Sequence, residues 1–421
     1  MSSEWESVTL GDILTLQRGM DLPVQDRKAG KVPIVASNGI TGYHDHAPVK
    51  APGVVIGRSG SIGGGQYIEC DYWPLNTTLW VKDFKGNDPR YCYYLLRSID
   101  FSGLNAGSGV PTLNRNHLHP MPMVRPPVVE QKQISSILGA LDDRIALLRE
   151  TNATLEAIAQ ALFKSWFVDF DPVHAKQQGI APEGLDEATA ALFPGGFEES
   201  ELGLVPKGWS VTSVAQVAEV VKGKSYSSSE LAIQYDTALV TLKSFERGGG
   251  FRLDGFKPFT GKFKPSQVVV SGDLIVAYTD VTQAAELIGK PAIVVGVDEY
   301  KTLVASLDVG IIRPDPTKCN RQFLYGLFRT EPFQAHTFAH TSGTTVLHLA
   351  KEGIGSFQFP CPSVELIIAY AEIAEAIVGR RQTNIDLMRT LATLRDTLLP
   401  RLISGQLRLP EAETTLEEVM T

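Results

Sequence analysis

The sequence has few of the patterns that mark secreted, zinc-binding or membrane proteins. Its four cysteines, Cys70, Cys92, Cys319 and Cys361, are far apart and form no C-x-x-C pair. This spacing argues against a zinc ribbon and favours reduced thiols. No run of about 18 uninterrupted apolar residues occurs, and the N-terminus, MSSEWESVTLGD, has acids where a signal peptide needs basic and apolar residues. We therefore expect a cytoplasmic protein without membrane segments.

Motifs for chemistry are also missing. Residues 222–225 contain G-K-S, but Ala218 stands where a Walker loop requires glycine. His336 and His340 have the spacing of a helical zinc motif, yet Thr337 occupies the position of the general-base glutamate. No N/D-P-P-Y/F tetrapeptide of an amino-methyltransferase is present. We therefore predict a non-catalytic chain with no catalytic residues and no metal site.

A net charge of −8 does not by itself indicate a nucleic-acid-binding protein, but the charges are unevenly distributed. All charged residues in 181–201 are acidic, whereas residues 222–264 are rich in lysine and arginine with aromatic residues between them. Such a stretch can line a DNA groove. It can equally be a solvated sheet edge with an aromatic inner face.

The chain contains an internal duplication. WESVTL at 5–10 returns as WSVTSV at 209–214, and each copy proceeds to a Ser-Gly loop, at 108–113 and at 342–347. Each copy then leads into a long helical pattern, so the order is module, helix, module, helix. The copies share their ends but differ in the middle, which is expected if one frame carries two different recognition surfaces. The duplication predicts approximate twofold symmetry within one chain.

The helical patterns predict a pair of long helices. Apolar residues and one asparagine recur with alternating steps of four and three in each, which is typical of a coiled-coil seam. The seam positions are Ile134, Leu138, Leu141, Ile145, Leu148, Asn152, Leu155 and Leu162 in the first helix, and Ile377, Asn384, Leu391 and Leu398 in the second. Ile373 is also expected on the second seam, while Arg381 and Arg395 interrupt it. A single helix over 130–168 would span roughly 58 Å, too long to bury its stripe inside one module. Antiparallel packing of the two helices, as a spacer between the modules, is therefore expected.

The chain resembles the specificity subunit of a Type I restriction-modification system. The resemblance rests on SNGITGY at 37–43, PGVVIGRSGSIG at 52–63 and SGVPTLNRNHL at 108–118. It also rests on PPVVEQKQI at 126–134, LFKSWFVDFDPVHAK at 162–176, LFPGGFEESELGLVPKGW at 192–209 and LLPRLISGQL at 398–407. The second module matches more loosely than the first.

This resemblance implies an α+β protein with two mostly-β target recognition domains, separated by two long antiparallel coiled-coil helices, with pseudo-twofold symmetry. The implied boundaries are recognition domains at 1–128 and 205–363, helices at 129–168 and 364–404, a linker at 169–204 and an acidic tail at 405–421. The implied function is reading a bipartite double-stranded DNA site. The implied partners are two methyltransferase subunits and restriction subunits, which would carry S-adenosylmethionine, ATP and Mg, with no cofactor in this chain.

Candidate DNA-binding residues are polar side chains in the loops where the family places recognition. They are Arg58, Ser59, Asn76, Ser108, Thr112, Asn114 and Arg115 in the first module, and Lys222, Lys243, Arg247, Thr279, Gln283, Thr341 and Thr344 in the second. A stand-alone regulator that binds a split operator would use the same modules. The regulator needs a polar outer face on the helices, whereas five apolar residues lie off the seam: Ile137, Leu147, Ile158, Phe163 and Phe167.

Overall fold

A computed structural model describes residues 5–105, 107, 109–282 and 284–412 of the chain. The chain forms two compact units. The first contains residues 1–149 and 385–421, and the second contains residues 150–384. Each unit therefore contains one module and a segment of both long helices. The predicted α+β class is confirmed.

The first unit contains nine strands and three short helices among its described residues. The strands are β1 (Glu6–Thr9), β2 (Thr15–Arg18), β3 (Val32–Ala36), β4 (Gly39–His44), β5 (Gly53–Gly57), β6 (Gly63–Ile68), β7 (Trp73–Pro74), β8 (Thr78–Asp83) and β9 (Pro122–Arg125). The helices are α1 (Leu10–Ile13), α2 (Pro89–Arg97) and α3 (Arg115–Leu118). The strands form sheets of order β1-β9, β2-β8-β5-β6 and β4-β3-β7. The first long helix, α4, runs from Val128 to Phe167.

The second unit repeats this arrangement. Its helices are α5 (Asp171–Gln177), α6 (Glu187–Ala191), α7 (Val214–Val217), α8 (Arg321–Phe328) and α9 (Glu331–Ala339), and the second long helix, α10, runs from Val364 to Ile403. Its strands are β10 (Phe197–Ser200), β11 (Gly203–Pro206), β12 (Ser210–Ser213), β13 (Ala218–Lys222), β14 (Thr237–Val240), β15 (Lys257–Pro258), β16 (Val268–Val269), β17 (Leu274–Ala277), β18 (Thr279–Asp280), β19 (Pro291–Ile293), β20 (Thr302–Ala305), β21 (Val309–Pro314), β22 (Thr341–Ser342), β23 (Leu347–Leu349) and β24 (Gln358–Cys361). They form sheets of order β12-β24, β13-β21-β17-β19, β15-β14-β20-β16 and β18-β23-β22, beside the β10-β11 hairpin.

The two modules share a strand order that the sequence repeat only suggested. The sheet β2-β8-β5-β6 corresponds to β13-β21-β17-β19, and the pair β1-β9 corresponds to β12-β24. Equivalent glycines lie against equivalent carbonyls: a side chain on Gly19 would collide with Leu75 O, and one on Gly223 with Ser306 O. Both turns therefore require glycine for the same close backbone approach.

The modules differ most in the segment that comes directly after β3 in the first module and after β14 in the second. In the first module, the SNGITGY stretch forms a hairpin in which β3 and β4 are joined by a two-residue turn, with Gly39 at φ 119°. Residues 241–256 occupy the corresponding place in the second module, between β14 and β15. This insertion gives the second module a different surface on a shared frame.

The long helices bury the predicted seam. Five seam residues of α4 in the first unit are at most 4 % exposed, as are Leu391 and Leu398 of α10. In the second unit, Asn384 Nδ2 donates to Asn152 Oδ1 at 2.8 Å, and both side chains are buried. Leu155, Leu162 and Ile377 are half-buried. Asn152 lies opposite Asn384 and Glu156 opposite Arg381, so the helices are antiparallel.

Two expectations for the helices were wrong. Ile373 is exposed rather than on the seam, because Ala374 and Tyr370 form the buried face of that turn. Three off-seam residues expected to face a partner are buried within the chain instead. Ile137 packs in the core of the first unit, and Phe163 and Phe167 pack in that of the second. Leu147 and Ile158 remain half exposed.

The segment 169–204, expected as a linker, is folded. It contains α5, α6 and the first strand of the β10-β11 hairpin, and Val173 and Phe193 are buried with Trp166 and Trp209. The aromatic residues of the LFKSWFVDFDPVHAK string account for this packing, since Phe170 and Phe167 both contact the Trp209 ring. This segment is therefore part of the second unit's core.

Candidate nucleic-acid interface

In the first module, the turns after β2 and β5 and before β8 bring several predicted residues together. The Arg58 Nε donates to Asn76 O at 2.9 Å, and the Asn76 side-chain amide donates to Asp21. Arg18 lies 4.0 Å from Asp21, so two guanidinium groups share one carboxylate-lined turn. Burial lowers the pKa of Arg58, and the neighbouring Arg18 lowers it further. The guanidinium is held in place by backbone and remains charged at neutral pH.

The loop before α3 joins this cluster through the backbone. Ser59 and Thr112 form an isolated antiparallel β-bridge, and Leu113 N donates to Arg58 O at 2.8 Å. Asn114 caps α3, since its side-chain oxygen accepts from Asn116 N at 3.0 Å. Arg115, the first residue of α3, is exposed beside this cap. The first module therefore brings Arg58, Ser59, Asn76, Thr112 and Arg115 together on neighbouring turns, and their contact with DNA stays a prediction.

The second module places its predicted residues differently. Lys222 and Thr344 are exposed, but Thr279 is 6 % exposed and its hydroxyl donates to Asp308 at 2.8 Å. Thr279 therefore supports the loop, and the expectation that it contacts DNA does not fit its burial. The Thr341 hydroxyl donates a hydrogen bond to Phe338 O at 2.8 Å.

The loop after Thr279 is built around a buried carboxylate. Burial alone would raise the pKa of Asp280, but hydrogen bonds from Thr282 and from the backbone N–H groups of Leu287 and Ile288 outweigh it and lower the pKa. Asp280 thus closes the 280–288 loop. Two predicted residues lie outside the described residues: Gln283 of this loop and Ser108 of the first module.

Lys243 and Arg247 both belong to the 241–256 insertion. Arg247 is exposed and lies 3.2 Å from Glu286 of the 280–288 loop, while Lys243 is exposed on a short turn. Among the aromatic residues of this basic stretch, Phe245 and Phe259 are buried in the core. Phe245 and Phe259 therefore face the core of the module, while Lys243 and Arg247 lie on its outside.

Hydrogen bonds that recur in both modules identify equivalent positions. Arg58 N donates to Thr77 O, and Tyr278 N donates to Asp308 O, so Tyr278 occupies the place of Arg58. Ser59 pairs with Thr112, and Thr279 pairs with His348. A side chain on Gly107 would meet Val110 O, and one on Gly343 would meet Val346 O.

These matches shift the loop alignment by two residues from the one read in the sequence. Gly107, not Gly109, is the counterpart of Gly343, and the same register makes Lys351 the counterpart of Arg115. Sequence reasoning missed His348 and Lys351, both of which are exposed. An alignment of AGSGVPTL with SGTTVLHL would have found them.

The equivalent positions also explain a cleft in the second module. In the first module, the His119 ring fills the space beside β2, and its Nε2 accepts the N–H of Leu16 at 3.0 Å. Gly355 stands at the equivalent position, and a cleft of about 1050 Å³ lies there, lined by Val220, Lys222 and Tyr278 among others. The two modules therefore differ in shape next to their candidate surfaces.

Within the described part of the chain, no cluster of histidine, cysteine, aspartate or glutamate could hold a metal ion. The centroids of the His336 and His340 rings lie 4.2 Å apart with the rings tilted by 33°, and His336 Nε2 lies 3.0 Å from the Ser356 hydroxyl. No described helix is both long enough and apolar enough to cross a bilayer.

Known proteins resemble this chain over most of its length. Residues 2–157 match the model of the Type I restriction modification DNA specificity domain. The Type I restriction enzyme HindI specificity subunit of Haemophilus influenzae is 24 % identical over 400 residues, covering 82 % of this chain and 84 % of that protein. The MjaVIII specificity subunit of Methanocaldococcus jannaschii is 21 % identical over 425 residues, covering 96 % and 93 %. The matching family model describes a Type I restriction modification DNA specificity domain, and both of these relatives are Type I restriction enzyme specificity subunits.

The fold comparison agrees. The crystal structure of the Type I restriction-modification S subunit from M. genitalium matches with a TM-score of 0.52 at 16 % identity, covering 96 % of both chains. The family-model match covers the first module and 30 of the 40 residues of α4, whereas the curated relatives match most of the chain.

Proposed function

We propose that this chain is the DNA-reading subunit of a Type I restriction-modification complex and that each module reads one half of a bipartite DNA site. The observation that carries the proposal is the pair of modules with one frame and unlike surfaces. Arg58 is matched by Tyr278, Thr112 by His348, and the two-residue hairpin turn by residues 241–256. Two unlike surfaces on one frame suit two unlike half-sites.

The expected chemistry of DNA contact is consistent with this assignment. Arginine can bind a guanine edge through two hydrogen bonds, and lysines contact phosphates or guanine. Exposed basic residues occur on the candidate turns of both modules, at Arg115 in the first and at Lys222 and Lys351 in the second. The overall charge of −8 is compatible with DNA binding if partner subunits neutralise most of the phosphates.

The same proposal assigns catalysis to other chains. Two methyltransferase subunits would supply S-adenosylmethionine chemistry, and restriction subunits would use ATP and Mg, while this chain contributes no catalytic residue and functions in the cytoplasm. Partner docking requires apolar surface on the long helices. Leu147, Ile158, Ile368 and Ile373 are each at least 41 % exposed on α4 and α10, which supports docking over the alternative of a stand-alone regulator.

A module exchange tests the proposal. Residues 1–128 are replaced by the same module of another specificity subunit, the complex is assembled with methyltransferase subunits, and methylated sites are mapped by sequencing. One half-site is expected to change while the other stays. The reciprocal exchange of 205–363 is the matched control and should change only the other half-site. If either exchange alters both halves together, the two-reader assignment is wrong.

A further inference from the structure

An ionic cluster ties the first module to both long helices within the first unit. Asp142 of α4 accepts a hydrogen bond from Arg395 Nη1 of α10 at 2.7 Å and one from the Tyr94 hydroxyl at 2.8 Å. Arg97, at the end of α2, lies 3.7 Å from the same carboxylate. Arg97 Nη1 also donates to the Tyr93 hydroxyl at 2.9 Å. We call Asp142, Arg395, Arg97 and Tyr93 the first cluster.

The second unit has a similar cluster, with glutamate in place of aspartate. Glu156 of α4 accepts hydrogen bonds from Arg381 of α10 and, at 2.7 Å, from the Tyr325 hydroxyl of α8. Arg329, directly after α8, lies 3.5 Å from Glu156, and its Nη1 donates to the Tyr325 hydroxyl at 3.1 Å. We call Glu156, Arg381, Arg329 and Tyr325 the second cluster. None of its three charged side chains is more than 25 % exposed.

The module half of each cluster comes from equivalent positions. Helices α2 and α8 begin with the same cap: Asp88 accepts from Tyr91 N, and Asn320 accepts from Phe323 N, both at 2.8 Å. Counting from these caps, Arg97 corresponds to Arg329, and Tyr93 to Tyr325. The arginine-tyrosine pair is therefore a shared feature of the duplicated frame.

The long-helix half does not come from equivalent positions. Two residues separate each long helix from an equivalent strand, β9 before α4 and β24 before α10, so Val128 corresponds to Val364. By this match, Asp142 corresponds to Val378 and Arg395 to Ala159. The second module nevertheless meets one carboxylate and one arginine, contributed by Glu156 and Arg381. Inheritance of these two residues through the duplication does not explain the recurrence.

The charges also discriminate between alignments of the two helices. Asp142 and Glu156 lie on α4 opposite Arg395 and Arg381 of α10, and Asp396 of α10 is also bonded to Arg395 at 2.7 Å. If α10 slipped along α4 by a heptad, the mostly buried Asp142 and Glu156 would lose their partners on α10, and Arg381 would lose its partner on α4, which is strongly unfavourable. Apolar seam residues alone tolerate such a slip, because each heptad resembles the next.

We propose that Asp142 and Glu156 are positioning residues for DNA reading, which hold each module at one angle on the helix pair and so restrict the gap accepted between the two half-sites. This inference rests on the proposed function. Neither carboxylate contacts DNA in this scheme; Asp142 acts through Arg97, Glu156 acts through Arg329, and both act through the partner helix.

The test uses the full chain in complex with methyltransferase subunits. The wild-type site is first mapped by methylation sequencing, and duplexes are then prepared with the same half-sites but with gaps one and two base pairs shorter or longer. For Asp142→Asn and Glu156→Gln, methylation at the altered gaps relative to the native gap should rise about tenfold over wild type, a typical size for a coupling effect. The preferred half-site sequences should not change.

Asp236→Asn is the matched control, because it removes an exposed ion pair with Lys301 in the second unit. It should leave the gap profile as in the wild type. If Glu156→Gln does not fold, Arg381→Lys, which keeps the charge, should widen the gap profile to a smaller degree. A wild-type gap profile in folded Asp142→Asn and Glu156→Gln complexes would overturn the inference. A wild-type complex that methylates no bipartite site would instead overturn the proposed function.

Discussion

Arg58 and Tyr278 occupy the same backbone position in the two modules but different environments. Arg58 is half-buried with its Nε bound to Asn76 O, whereas Tyr278 is 7 % exposed in the core of its module. The glycine-rich strand before Arg58 indicated a loop at this place, but the sequence could not show which side chain points outward. That choice depends on the neighbouring turn, as the burial of Thr279 against Asp308 also shows.

Replacing Arg58 should alter recognition of a single base. For Arg58→Ala, we expect a loss of about 1–3 kcal/mol in discrimination at one position of one half-site, because a guanidinium that binds guanine through two hydrogen bonds is removed. Competition binding against single-base variants measures this loss. Tyr278→Phe is the matched change in the other module and should leave that half-site preference intact. Uniform weakening with a smaller salt dependence would assign Arg58 to a phosphate.

His119 should make the first module sensitive to acid. Burial lowers the pKa of its imidazole, and Arg115 and Lys85 lower it further, so the neutral ring accepts the N–H of Leu16. The folded-state pKa lies below the ordinary 6.5, so this contribution is present above pH 6.5 and is lost as the pH falls through the folded-state value.

Urea unfolding of wild type and His119→Ala measures this contribution. The two proteins should differ by about 1 kcal/mol at pH 7.5, the typical value of one hydrogen bond. The difference should shrink at pH 5. Gly355→Ala, at the equivalent position of the second module, is the control and should show no such pH dependence. A difference that grows on acidification would contradict the assigned neutral acceptor.

The long helices show what an element's sequence can and cannot predict. Their seam was predictable because burial repeats with the helical period, and Leu138 and Leu391 are fully buried as that period requires. Arg381 and Arg395 look like interruptions because their partners, Glu156 and Asp142, lie on the other helix. Periodicity within one element carries no information about charges on another element.

The Asn152–Asn384 pair should behave as a unit. Replacing Asn384 alone by leucine removes the hydrogen bond and leaves a buried amide without that partner, so we expect a loss of about 1–3 kcal/mol in unfolding free energy. Replacing both by leucine should recover most of this loss, because no buried polar group remains. Thermal and urea unfolding of Asn152→Leu, Asn384→Leu and the double variant complete a double-mutant cycle. Additive losses in the double variant would show that the amides do not interact.

At the scale of the whole molecule, the remaining prediction concerns the gap between half-sites. The sequence predicts that the paired helices act as a spacer, and the unit boundaries give the place to test it. Insertions between Arg149 and Glu150 in α4 and between Asn384 and Ile385 in α10 fall at the boundary between the two units and so interrupt neither unit. Seven residues added at both points keep the seam nearly in phase and lengthen each helix by about 10 Å.

The accepted gap should then grow by about three base pairs at roughly 3.4 Å per pair, while both half-sites keep their sequences. Two-residue insertions at the same points are the control, because they rotate everything beyond them by about 200° and should abolish methylation of bipartite sites. Methylation mapping of both proteins measures the gap that each accepts between the half-sites. If the seven-residue variant is active but still marks only the original gap, the helices do not set the spacing, and the gap must be fixed by the subunits that bind this chain.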